Sequence, residues 1–209
     1  MKKSILLIII GILILAVDIQ IPIGKAYPEM LEARDLGLEF QGKIINNFIG
    51  TRPSVDIISD IIGYALIFIG SIFLTKKSKK FIFAMLLIPV AIYLNIVLPQ
   101  FAYHFELREL YLKVAGNSFL VVFLEMGIEY FVIHGIVSIT DNMQNKWHNN
   151  ELLAAWILAM MSKGLLVGID FFFGQKIIYY LYSLVMIAAT IFYISRLFVT
   201  VNFKPEESK

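Results

Sequence analysis

Glu125 and Glu129 lie four residues apart, so a helix places both carboxylates on one face. Paired carboxylates bind a cation, an amine or a proton, or they neutralise a base. Lys163 is the natural base. It lies at matching depth if two consecutive helices run antiparallel, and the simplest way to carry both charges is a Glu129–Lys163 ion pair. Asp170 follows Lys163 by seven residues, nearly the same helical face two turns on. Asp60 opens another apolar run. Asp60, Glu125, Glu129 and Asp170 are therefore the candidate ligand or proton residues. Each also has a bland reading, as a member of an internal salt bridge or hydrogen bond.

Other chemistries find no support. His134 follows Glu129 by five residues, off its face, and no second histidine lies at comparable depth, so no intramembrane glutamate–histidine hydrolase is read here. His134 reads as a hydrogen-bonded core residue. There is no nucleotide-binding glycine loop, His-Glu-x-x-His zinc motif or Gly-x-Ser-x-Gly elbow. The reading assigns no catalytic residue, no metal ligand and no cofactor, and it favours a protein that is not an enzyme.

The elements that must position these side chains are six apolar stretches, at approximately 5–23, 55–74, 81–98, 118–139, 152–173 and 177–201. Each is close to the ~20 residues a helix needs to cross a bilayer core. Lipid leaves the backbone only helices or closed barrels as ways across. The expected fold is all-α: a polytopic transmembrane bundle of about six spans, one domain over 1–209, in the cell membrane. Composition agrees. The chain is 59% hydrophobic and 16% charged, against ~25% charged in ordinary soluble domains. A net charge of +2 gives no footprint for nucleic acid. The absence of cysteine excludes disulfides, thiolate metal sites and a cysteine nucleophile.

Basic residues set the expected orientation. With the N-terminus inside, ten lysines and arginines fall on inner segments and seven on outer ones. The Lys2-Lys3 head and the Lys76, Lys77, Lys79, Lys80 cluster agree, which predicts both termini in the cytoplasm. The basic head and apolar core of the first stretch resemble a secretory signal, but small residues for cleavage are missing, so it reads as a retained signal anchor. An amphipathic segment over 28–49 is expected on the outer side, lying in the interface or covering a cavity. A similar short pattern runs over Phe101–Val114. Asp18 and Asp56 read as residues at span ends, with Asp56 either facing water or helping to cap the second span from its first turn. In this arrangement Asp60, Glu125 and Asp170 fall in the outer half, which suggests a vestibule lined by carboxylates.

Small residues predict close helix packing. Ser59, Gly63 and Gly70 mark the second span, and Gly164 and Gly168 mark the fifth beside Lys163. Pro89 predicts a kink in the third.

Asp56-Ile-Ile-Ser-Asp60-Ile-Ile-Gly63-Tyr64-Ala-Leu-Ile-Phe-Ile-Gly70 resembles a pattern in small, uncharacterised integral membrane proteins of low-GC Gram-positive bacteria, where an acid precedes Ile-Gly-Tyr-x-Leu-Ile-x-x-Gly. Ser59 stands where that pattern often has proline. The first stretch, ending Asp18-Ile-Gln-Ile-Pro-Ile-Gly, is similar to the first span of such proteins. The resemblance covers about the first seventy residues. It implies a family without an assigned activity and transfers no catalytic residue.

Two functions remain open at this point. One is an accessory, partner-binding membrane protein, set in the lipid bilayer as a homo-oligomer or beside another membrane protein. The other is a small transporter or sensor that binds a cation, amine or proton in an outward-facing acidic cavity.

Overall fold

The computed structural model describes the backbone of residues 2–16, 20–22, 54–56, 60–101, 107–141, 145–173 and 176–202, with side chains over 2–16, 60–94, 119–141, 145–165 and 181–202. Six helices carry the described fold: α1 (Lys2–Ala16), α2 (Asp60–Leu74), α3 (Lys80–Phe101), α4 (Leu107–Thr140), α5 (Lys146–Phe173) and α6 (Lys176–Asn202). A small antiparallel ladder joins β1 (Gln20–Pro22) to β2 (Ser54–Asp56), with Ile21 opposite Val55.

Successive helices pack as antiparallel neighbours. Phe81 of α3 meets Gly135 of α4, while Leu87 meets Gly127. Thr140 meets Asn149 near the α4–α5 connection, and Glu129 meets Lys163 further along, so α5 runs back beside α4. A lighter contact between α1 and α6 links the first and last helices. The core is mainly aliphatic, with Ile8, Ile12, Ile67, Ile88, Ile128, Ile133 and Ile136 all buried, and it also encloses Tyr64, Phe81 and Tyr193.

Backbones approach most closely along α1–α2. A Cβ on Gly11 would stand 2.6 Å from the Gly63 carbonyl oxygen, and one on Gly70 would stand 2.7 Å from that of Ser4. Only glycine lets these two helices reach that separation. The expectation for Gly63 and Gly70 thus finds its partner helix in α1. At Gly164 the outcome differs: among the described residues, a Cβ there would meet nothing within 4 Å. Its neighbours Met161 and Leu165 are exposed. The Gly164 side of α5 turns away from the helices around it, although the next residue back, Lys163, is buried.

Several boundaries move. The stretch 5–23 is not one helix. α1 ends at Ala16, and Gln20–Pro22 is a strand. Val17, Ile19 and Ile21 are β-branched, and Pro22 has no amide to donate, so this sequence disfavours helix. The second helix begins at Asp60 rather than near residue 55. Asp56 sits in β2 opposite Gln20 instead of capping α2, and Asp60 takes the first-turn position. α4 starts at Leu107 and absorbs much of the segment expected over Phe101–Val114. α3 continues through Pro89 as one helix. The segment 28–49 and Asp18 lie outside the described residues.

Two described stretches, Phe119–Thr140 and Leu181–Asn202, are long and apolar enough to cross a membrane by length and composition. Among the residues whose side chains are described, shorter apolar helical stretches run over Asp60–Leu74 in α2 and Lys80–Leu94 in α3.

Candidate functional site

A buried ionic cluster forms where α2, α4, α5 and α6 meet. Helical spacing sets Glu125 and Glu129 one turn apart on α4, about 6 Å along its axis. The antiparallel return of α5 brings Lys163 between them. Its Nζ donates to Glu129 Oε1 at 2.8 Å and stands 3.7 Å from Glu125 Oε2. The Lys163 and Glu129 side chains are 6% and 2% exposed, against 12% for Glu125. One ammonium therefore serves two carboxylates unequally.

Each glutamate also has a tyrosine. Tyr64 lies one turn after Asp60 on α2, and its hydroxyl donates to Glu125 Oε1 at 2.7 Å. Tyr193 of α6 is wholly buried and faces Glu129. Neither its hydroxyl nor Glu129 Oε2 completes a hydrogen bond of ordinary geometry. Asp60 acts on Lys163 through its charge, more weakly than the two glutamates. The structure thus brings Asp60, Glu125, Glu129 and Lys163 together. Asp170 lies in α5, two turns beyond Lys163, and its side chain lies outside the described residues.

The register that delivers Lys163 to Glu129 is held by a polar knot at the ends of α4, α5 and α6. The Thr140 hydroxyl donates to Asn149 Oδ1 at 2.9 Å. Asn145 Nδ2 reaches the carbonyls of Thr140 and Thr200, and the Thr200 hydroxyl points to that of His148. Arg196 donates to Glu151 Oε2 at 3.1 Å and lies over the Phe192 ring. Side chain–backbone bonds of this kind fix how far one helix slides along another.

His134 has the neighbours of a structural residue. Its Nδ1 stands 3.1 Å from the Tyr130 carbonyl, a hydrogen bond when that nitrogen carries the proton. Its ring stacks beside Tyr130 with Trp156 at an edge. Among the described residues no group of three or more His, Cys, Asp or Glu is disposed to hold a metal ion.

Sequence reasoning missed Tyr64, Tyr193 and the Glu151–Arg196 pair. Tyr64 had a signal, since it shares a face with Asp60 one turn away. Tyr193 had none: a tyrosine in an apolar helix is recognisable as a polar partner only once its neighbour is known. Chemically the cluster can hold or release a proton, because two carboxylates stand within 4 Å of one ammonium.

The chain matches no protein-family profile, no curated protein and no solved structure.

Proposed function

We propose that the chain is a multi-pass cell-membrane protein with six spans and both ends in the cytoplasm, acting as a small proton-responsive transporter or sensor. The membrane part is supported by an inverted distribution of side chains. Large apolar residues face outward on every helix, among them Leu6, Phe73, Leu86, Phe123, Met161 and Leu184, while Glu129 and Lys163 are buried. In water such a surface would be an extended apolar patch without a cover. In lipid it is the ordinary exterior, and interior ionisable groups mark a functional pathway.

The proton part is carried by a single observation: Lys163 is shared between Glu129 and Glu125, with Asp60 adding a third negative field. A purely structural ion pair needs one carboxylate. A second carboxylate 3.7 Å from the same ammonium adds an acid whose protonation the Lys163 charge governs. An accessory, partner-binding role would draw on the space that the described residues leave beside Gly164, and a gap names no partner.

The purified chain in liposomes loaded with a pH-sensitive dye tests this reading. An external acid pulse is expected to give reproducible proton uptake or binding above that of empty liposomes, and the signal should fall when Glu125 is replaced by Gln, which removes an acid while Lys163 keeps Glu129. Identical traces with and without protein would refute it.

A further inference from the structure

One end of the described bundle is strongly basic, and the acidic cluster does not account for it. The α2–α3 turn carries Lys76, Lys77, Lys79 and Lys80, all exposed. The Ser138 hydroxyl donates to Ser78 Oγ at 2.9 Å, which sets this turn beside the end of α4. The approach of Gly70 to the Ser4 carbonyl brings exposed Lys2 and Lys3 to the same end. The polar knot adds the start of α5, with exposed Lys146. Among the described residues two acids oppose this charge. Asp141 is exposed just past α4, and Glu151 already pairs with Arg196.

Helix stability explains only half of the turn. Lys76 and Lys77 suit the C-terminal end of α2, where a cation meets the helix dipole favourably. Lys79 and Lys80 stand at the start of α3, where the dipole favours an acid, and the first turn of α3 has none. The turn is nevertheless anchored. The Ser78 amide donates to the Leu74 carbonyl at 3.1 Å, and the Lys80 amide approaches Ser78 Oγ at 3.4 Å. Lys80 Nζ stands 3.4 Å from the His134 carbonyl, a contact that uses one of its three N–H groups. The surface next to the charge is apolar. Phe73 faces outward in the last turn of α2, and Ile82 and Phe83 do so in the first turn of α3. Phe83 stacks on Phe131 of α4, with 5.2 Å between ring centroids.

We propose that the α2–α3 turn binds an anionic phospholipid, with the headgroup phosphate among the turn lysines and the acyl chains along Phe73 and Phe83. The inference rests on the membrane part of the reading above and is independent of its proton part. Charge complementarity selects the headgroup, because a cluster of four basic residues at the edge of the bilayer attracts acidic lipids. The outward apolar band beneath the lysines selects a lipid over a free phosphate, which has nothing to lay against Phe73 or Phe83.

Native mass spectrometry of the purified full chain in detergent micelles, titrated with phosphatidylglycerol or phosphatidylcholine of equal chain length, reads the lipid complexes directly. The wild type is expected to take its first lipid at about fivefold lower phosphatidylglycerol than phosphatidylcholine, the effect of about one basic residue near an acidic surface. Changing all four turn lysines to glutamine (Lys76→Gln, Lys77→Gln, Lys79→Gln, Lys80→Gln) should bring the two lipids level. The matching arginine variant should keep the preference. Inorganic phosphate at the same concentration as the lipid should leave the complex intact, and displacement by it would overturn the assignment to a lipid. Equal affinity of the wild type for both lipids, or a preference that survives the glutamine variant, would overturn the proposal while leaving the membrane reading in place. A wild type that stays dispersed in buffer without detergent or lipid would overturn both.

Discussion

At the scale of the residue, Lys163 is the pivot. It contacts Glu129 at 2.8 Å and Glu125 at 3.7 Å, so the three possible deletions are unequal. Removing one partner of a buried pair strands the other, at a cost of about 3–5 kcal/mol. Lys163→Met strands two acids and should show that full loss in thermal unfolding. Glu129→Gln leaves the ammonium with Glu125 and should lose less. The double variant should recover part of the loss, with a coupling of about 0.5–3 kcal/mol. Strict additivity would show that the pair does not act as a unit. The Glu129–Lys163 contact was legible in the sequence because equal depth on consecutive antiparallel helices leaves each charge few alternatives. The tyrosines were not legible, because a hydroxyl in an apolar helix carries no charge to balance.

At the scale of the element, glycine has opposite meanings in two helices. On α1 the Gly11 position faces the Gly63 carbonyl and the Ile67 side chain. Gly11→Ala should therefore destabilise the fold by about 1–3 kcal/mol through overpacking. On α5 no described residue lies within 4 Å of a Gly164 Cβ. There alanine adds only helix propensity, up to about 1 kcal/mol in favour of the fold. Unfolding midpoints of the two variants should move in opposite directions, and a common direction would contradict the packing described. The same contrast explains what small-residue spacing conveys. Gly63 and Gly164 both sit in four-residue small steps with Ser59 and Gly168, yet spacing says only that a helix can be approached there, not that one is. The shortened α1 has a similar cause. Hydrophobicity continues through Ile23, but hydrophobicity does not distinguish helix from strand, and β-branching with Pro22 settles the backbone.

At the scale of the whole molecule, the proposed arrangement places both ends and the Thr75–Lys79 turn in the cytoplasm. The chain has no cysteine, so single introduced thiols report without background. Ser78→Cys and Asn142→Cys should label only after the membrane is opened from the cytoplasmic side, whereas Gly174→Cys should label in intact cells. External labelling of Ser78→Cys would invert the arrangement and move the acidic cluster to the other half of the bilayer. The six helices were readable from apolar length because that property survives any packing. Their joint surface was not, since which residues turn outward depends on partners that appear only when the helices assemble.

The closely packed α1–α2 seam has a mechanical consequence. Gly63 meets α1, and the next residue, Tyr64, holds Glu125. A seam that tight transmits displacement rather than absorbing it. As a hypothesis, a piston movement of the N-terminal helix would drag α2 with it and alter the Tyr64–Glu125 bond, so that force at one edge of the protein is felt at its ionic centre. Bulk at Gly11 should then shift the tyrosine vibrational signature that Tyr64→Phe removes, and an unchanged signature would show that the seam and the cluster are mechanically independent.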